Sequence, residues 1–116
     1  MDDFDIPIFK QTYDLYKTFY SYRTIIPKQD RYGIYERCEA LILDVLEGIL
    51  AGSKLPKGTE KAAVLDRASI KLNFLRVFIR LMKETKTIDA KKYIALETAI
   101  DEIGRMLGGW IRSTKQ

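Results

Sequence analysis

The sequence predicts an all-α fold, an antiparallel up-down four-helix bundle, and three observations carry that expectation. Apolar residues recur at alternating steps of three and four in four separate segments, the period of one helix face. Short breaks containing Pro, Gly or a turn-forming Asp divide those segments. No run of alternating apolar and polar residues argues for a strand. Short loops make consecutive helices antiparallel neighbours, so residues 1–116 read as one bundle domain with helices over about 5–26, 31–52, 59–86 and 89–113.

The first helix starts near Asp5, a suitable N-cap, with Phe4 before it and Phe9 four residues beyond it, the spacing of a hydrophobic staple. Phe9, Tyr13, Tyr16 and Tyr20, flanked by Thr12, Phe19, Tyr22 and Ile26, form one broad aromatic face, and Pro27 ends the helix. Aromatics at this spacing fit core or interface better than base stacking. After the turn at residues 27–30, Tyr35, Cys38, Ile42, Val45 and Ile49 line the inner stripe of the second helix, which runs to Gly52.

The connector from Gly52 to Gly58 superficially resembles a phosphate-binding loop, but its Lys-Gly order is reversed and a helix precedes it, so it reads as a plain loop. Thr59 is the expected cap of the third helix. Within that helix, Ser69, Asn73, Arg76, Arg80 and Lys83 fall on one strip, while Ile70, Leu72, Phe74, Leu75, Val77, Phe78, Ile79, Leu81 and Met82 cover the rest. So much apolar circumference predicts burial on more than one side, against the bundle and against a partner subunit. The last helix opens on a second staple, Ile88 before the cap Asp89 and Tyr93 beyond it, and its stripe is Tyr93, Leu96, Ile100, Ile103, Leu107 and Trp110.

Composition removes many functions. The chain has no histidine, which excludes histidine general acid/base catalysis, Ser-His-Asp and Cys-His nucleophile systems and the common histidine zinc sites. The inward positions are apolar, so Glu36, Glu39, Asp101 and Glu102 read as surface carboxylates, not ligands of a di-iron site. Cys38 lies on an inner stripe and reads as a small buried hydrophobe. The expectation is therefore a protein with no catalytic residue, no metal and no cofactor. A single cysteine, an acidic MDDFD start and no apolar run near the roughly 18 residues of a membrane span point to a cytoplasmic protein with no membrane partner.

The charge is unevenly spread. The net +4 arises because residues 57–86 hold eight basic and three acidic groups, whereas the residues before them are slightly acidic. Arg67, Lys71, Arg76, Arg80, Lys83 and Lys86 belong to that surplus, and spacings of four and three set Arg76, Arg80 and Lys83 side by side, about 5–6 Å apart. Such a line calls for a phosphate backbone, an acidic partner, or carboxylates of the bundle itself. In the last helix Gly104, Gly108 and Gly109 each cost about 1 kcal/mol relative to alanine. Close approach of a neighbouring helix, with Trp110 as an anchor, offsets that cost; the alternative is a kink at the glycine pair.

These residues also carry a family resemblance. The segment IPKQDRYGIYERCEALILDVLEGILAG resembles the corresponding helix of the four-helix 23S rRNA intervening-sequence proteins. FLRVFIRLM and EIGRMLGGWIRS resemble, more specifically, the accessory variability determinant proteins of diversity-generating retroelements, with Arg76, Arg80, Arg105 and Trp110 matching position for position. Only Ser113 to Gln116 follow, so no longer basic tail is expected to contribute. The resemblance implies a homopentameric ring with a basic outer surface that binds RNA, DNA and the element's reverse transcriptase and supports mutagenic copying of a template RNA. On that pattern Arg67, Lys71, Arg76, Arg80, Lys83, Lys86, Arg105 and Arg112 are the expected nucleic-acid or polymerase contacts, and Phe74, Phe78, Gly104, Gly108 and Trp110 the interface or close-packing residues. A structural interaction module of the intervening-sequence type, with Arg76 and Arg80 in ion pairs, is the alternative.

Overall fold

Each helix begins and ends where backbone chemistry dictates. The computed structural model describes residues 2–116. Asp2 caps a 3₁₀ turn over Asp3–Asp5 by accepting from the Phe4 N–H at 3.1 Å, and helix α1 (Pro7–Ser21) follows. Pro7 rather than Asp5 sets the start, because a first-turn proline has no N–H to lose and a preset φ. The expected Phe4–Phe9 contact is made, edge to face at 5.3 Å. A 3₁₀ turn (Arg23–Ile25) and the single helical turn α2 (Lys28–Arg31) lead to α3 (Ile34–Ser53). The second long helix is therefore interrupted near Tyr32 and Gly33 instead of running unbroken from residue 31.

Helix α4 (Thr59–Glu84) takes its N-cap from Gly58, not from Thr59. Gly58 has φ 152°, a conformation that suits glycine and strains any residue with a Cβ. At its other end the Thr87 N–H donates to Met82 O at 2.8 Å and the Lys86 N–H to Lys83 O at 3.0 Å, the paired bonds of a Schellman close. That close needs a left-handed residue, and Lys86 supplies it at φ 63°. Helix α5 (Ala90–Thr114) starts as expected, with Asp89 accepting from the Lys92 N–H at 2.9 Å.

The helices pack as a four-helix bundle in which α1, α3, α4 and α5 each touch the next and α5 returns to α1. Contacts run in opposite directions along each pair: Tyr35 meets Phe19 while Glu39 meets Tyr16, and Ala68 meets Gly48 while Met82 meets Cys38. The bundle measures 44 × 25 × 22 Å. Its axis is filled by the stripes the spacing predicts, including Tyr35, Cys38, Ile42, Val45 and Ile49 of α3 and Leu96, Ile100, Ile103 and Leu107 of α5. Among the described residues no helix is long and apolar enough to cross a membrane.

In α1 the inward face is rotated from the expected aromatic one. Ile8, Phe9, Thr12, Leu15 and Phe19 are buried, whereas Tyr13 and Tyr20 are exposed and Tyr16 is half-buried. The tyrosines sit one residue, about 100°, further round, where their hydroxyls remain near water. Tyr16 accordingly reaches Glu39 at 3.3 Å. Thr12 is satisfied inside the core by donating to Ile8 O at 2.9 Å, and the buried Tyr35 hydroxyl donates to Phe19 O at 2.7 Å. Burial pushes the Tyr35 hydroxyl up to about 12, with Glu39 adding to the rise, and burial alone does the same to Cys38, also to about 12. Cys38 is thus an inert core thiol, its sulfur 3.7 Å from that of Met82.

Candidate nucleic-acid interface

The cations of α4 leave the helix on different flanks. Arg76, on the flank facing α5, binds the Asp101 carboxylate, and Lys83 lies 4.8 Å over the Tyr93 ring. Arg80, highly exposed, pairs with Glu84 of its own helix at 3.1 Å. Lys71 lies on the other flank, 3.2 Å from Asp44 of α3, with the exposed Arg67 one turn away. Arg105 binds Glu102 within α5. The six cations of residues 57–86 singled out by spacing are therefore not one continuous anion-facing line. Arg76 is neutralised across the bundle by Asp101 of the last helix.

Between these flanks lies a stripe of exposed apolar residues. Ile70, Phe74, Val77 and Leu81 are 51, 50, 62 and 43 % exposed, while Phe78 is half-buried against the core. One bundle covers only the face bearing Leu65, Leu72, Leu75, Ile79 and Met82. The other residues expected at an interface or in close packing meet groups of their own chain. A Cβ on Gly104 would lie 3.1 Å from Arg76 Nη2, so this glycine makes room for the guanidinium that crosses to Asp101. Gly108 and Gly109 lie alongside the guanidinium of Arg112, and Trp110 packs on the core with Lys61 5.2 Å over its ring. Close helix approach through glycine is found elsewhere, where Gly48 of α3 meets Ala68 of α4 and Gly52 meets Leu65.

The strongest concentration of uncompensated charge lies at the end of the bundle where α1 turns into α3 and α4 into α5. Residues 22–37 and 83–92 hold Arg23, Lys28, Arg31, Arg37, Lys83, Lys86, Lys91 and Lys92 against Asp30, Glu36, Glu84 and Asp89. Thr87 joins the two loops by a 3.4 Å bond to Asp30, and Lys92 sits 5.8 Å over the Tyr22 ring. Some of these charges are answered: Arg23 lies 3.6 Å from Glu39, and Lys92 3.1 Å from Asp89. Lys28, Arg37, Lys86 and Lys91 are exposed and have no carboxylate within 4.0 Å among the described residues. At the opposite end Lys54 pairs with Asp3 at 2.8 Å and Lys115 with Asp66 at 3.3 Å. Of these cations only Lys83 and Lys86 stand out in the sequence, because the end joins two segments more than 45 residues apart.

Two concavities flank α4. A groove of about 360 Å³ between α3 and α4 is walled by Asp44, Glu47, Arg67 and Lys71, with Gly48 and Ala68 at its base, so its charges balance. Another, of about 770 Å³ near the α4 start, has Asp66 and Lys115 on its walls. Among the described residues no three metal-capable side chains come together. The surface offers Coulomb attraction and apolar contact, which are the means of binding polyanions and protein surfaces.

No curated protein matches the chain. A family profile described as bAvd-like, the bacterial accessory variability determinant-like proteins, matches residues 7–114, from the first residue of α1 to the last of α5. The chain therefore belongs to the bAvd-like family.

Proposed function

We propose that this protein is a non-enzymatic accessory protein of a diversity-generating retroelement. It binds template RNA or complementary DNA and the element's reverse transcriptase through its basic surface, as a homo-oligomer in the cytoplasm. The observation that carries the reading is the match to the bAvd-like family over residues 7–114. The net +4 and the exposed cations support the nucleic-acid part, since phosphate contacts give affinity without sequence readout. The exposed Ile70, Phe74, Val77 and Leu81 stripe supports the assembly part, because a contiguous apolar strip on a charged surface marks an interface. Filter binding to RNA and duplex DNA across a salt series tests the reading. Affinity is expected to fall steeply with salt; salt-insensitive binding, or none at low salt with folded protein, sinks it.

A second reading has one observation in its favour, the Arg76–Asp101 pair across the α4–α5 seam. In it the arginines serve bundle and ring alone and the partners are proteins. Arg80→Glu separates the two: lost assembly favours this reading, and intact assembly with weaker nucleic-acid or polymerase binding favours the first.

A further inference from the structure

We infer that the basic turn end is a binding site for single-stranded nucleic acid, with phosphates on Lys28, Lys86 and Lys91 and a base stacked on Tyr32. The inference rests on the nucleic-acid reading above and adds to it a place on the molecule and a strand class. Three independent features of this end support it.

The first is proximity. Lys28 and Tyr32 each lie two residues from Asp30, and Lys86 immediately precedes Thr87, whose hydroxyl meets the Asp30 carboxylate at 3.4 Å. Neighbouring Cα atoms are about 3.8 Å apart, so the two lysines and the tyrosine share one small surface. Lys91 is the second residue of the adjoining helix, two after the Asp89 cap. The second is the ring. Tyr32 is 71 % exposed, the most exposed large apolar side chain of the described residues, and stacks on no other aromatic ring there. An uncovered ring among uncompensated cations is the combination that holds single strands, because every unpaired base offers a π-face while its phosphate seeks a positive charge. A duplex keeps its bases stacked on one another and gains only the phosphate term.

The third is strain. The Schellman close of α4 needs a residue with positive φ, and glycine fills that position without steric cost. Here Lys86 occupies it at φ 63°, exposed to solvent. A strained residue that persists where a relaxed one would fold better indicates a use for its side chain.

The experiment is fluorescence anisotropy with an oligothymidylate of about 12 nucleotides and a duplex of about equal length, from ~50 to ~200 mM salt. Tyr32→Ala is expected to weaken oligothymidylate binding about tenfold and duplex binding less than about twofold. Lys86→Gly is expected to weaken both, to lower the single-strand salt slope by about 0.7, and to raise the melting temperature. Higher stability with lower affinity rules out damage to the fold as the cause. Single-strand binding by Tyr32→Ala at the wild-type level, or an intact salt slope in Lys86→Gly, overturns the inference and leaves the nucleic-acid reading standing. A wild-type protein that binds neither probe at low salt overturns both.

Discussion

Helix α4 joins its two bundle neighbours by different means. Toward α3 the seam is made chiefly by shape, with the Lys71–Asp44 pair at its edge: Gly48 and Gly52 bring that backbone against Ala68 and Leu65, and a Cβ placed on Gly48 would lie 2.9 Å from that of Ala68. Toward α5 much of the seam's rim is made by charge and reach. Arg76 crosses over Gly104 to Asp101, Lys83 covers Tyr93, Lys61 covers Trp110 and Lys115 returns to Asp66. A seam made by backbone contact has no slack, because close-packed interiors do not deform continuously. One rimmed by long side chains can adjust by moving their tips. The two seams should therefore respond oppositely to the same kind of change.

The largest effect is expected at Gly48. Gly48→Leu drives a side chain into the Ala68 Cβ and the α4 backbone, neither of which can swing aside. Overpacking of this kind costs about 3 kcal/mol. Urea unfolding of the variant measures it, and a loss below about 1 kcal/mol would mean that the α3–α4 seam has room that its geometry denies.

The contrast also explains what could be read in the sequence. The stripes of α3 and α5 were legible because a period of three and four survives whatever the helices pack against, and Asp89 was legible because capping is local. The inward face of α1 was misplaced because tyrosines at positions 13, 16 and 20 satisfy the same period as Ile8, Thr12, Leu15 and Phe19, one residue out of phase. Aromatic content alone cannot choose between them, whereas hydroxyl solvation does. Gly104 stands out in the sequence as a costly helical glycine, but no one-dimensional signal says that an arginine 28 residues earlier lies over it. The helix approach at Gly48 and the basic turn end were both invisible for that reason: each forms only when distant segments meet.

A smaller effect of opposite sign is expected at Gly104. Its added Cβ would lie 3.1 Å from the end of Arg76, a flexible tip that can move a few tenths of an ångström. Gly104→Ala should therefore keep most of the helix propensity it gains and stabilise the protein by up to about 1 kcal/mol. Loss of the Arg76–Asp101 pair offsets little of this, because both side chains are substantially exposed, 39 and 56 %, and such pairs contribute about 0–1 kcal/mol. Destabilisation of Gly104→Ala in thermal unfolding would show that Arg76 is held as rigidly as the Gly48 seam.

The smallest effect concerns acid. The Asp89 carboxyl is held below its ordinary value, chiefly by the Lys92 backbone N–H and then by its side chain. A carboxylate lowered in the folded state adds stability above its unfolded value, about 3.9, and loses it as pH falls through the folded value. The loss falls on the start of α5 and hence on the α4–α5 seam, whereas the Gly48 and Gly52 contacts of the α3–α4 seam do not depend on this cap. Trp110, the single tryptophan, packs near that seam and reports it by fluorescence. Asp89→Asn keeps an oxygen to cap α5 but removes one titration, so its Trp110 signal should change over a narrower span below about pH 4. An acid transition identical to wild type would place the cap's contribution in the hydrogen bond alone, with no part for its charge.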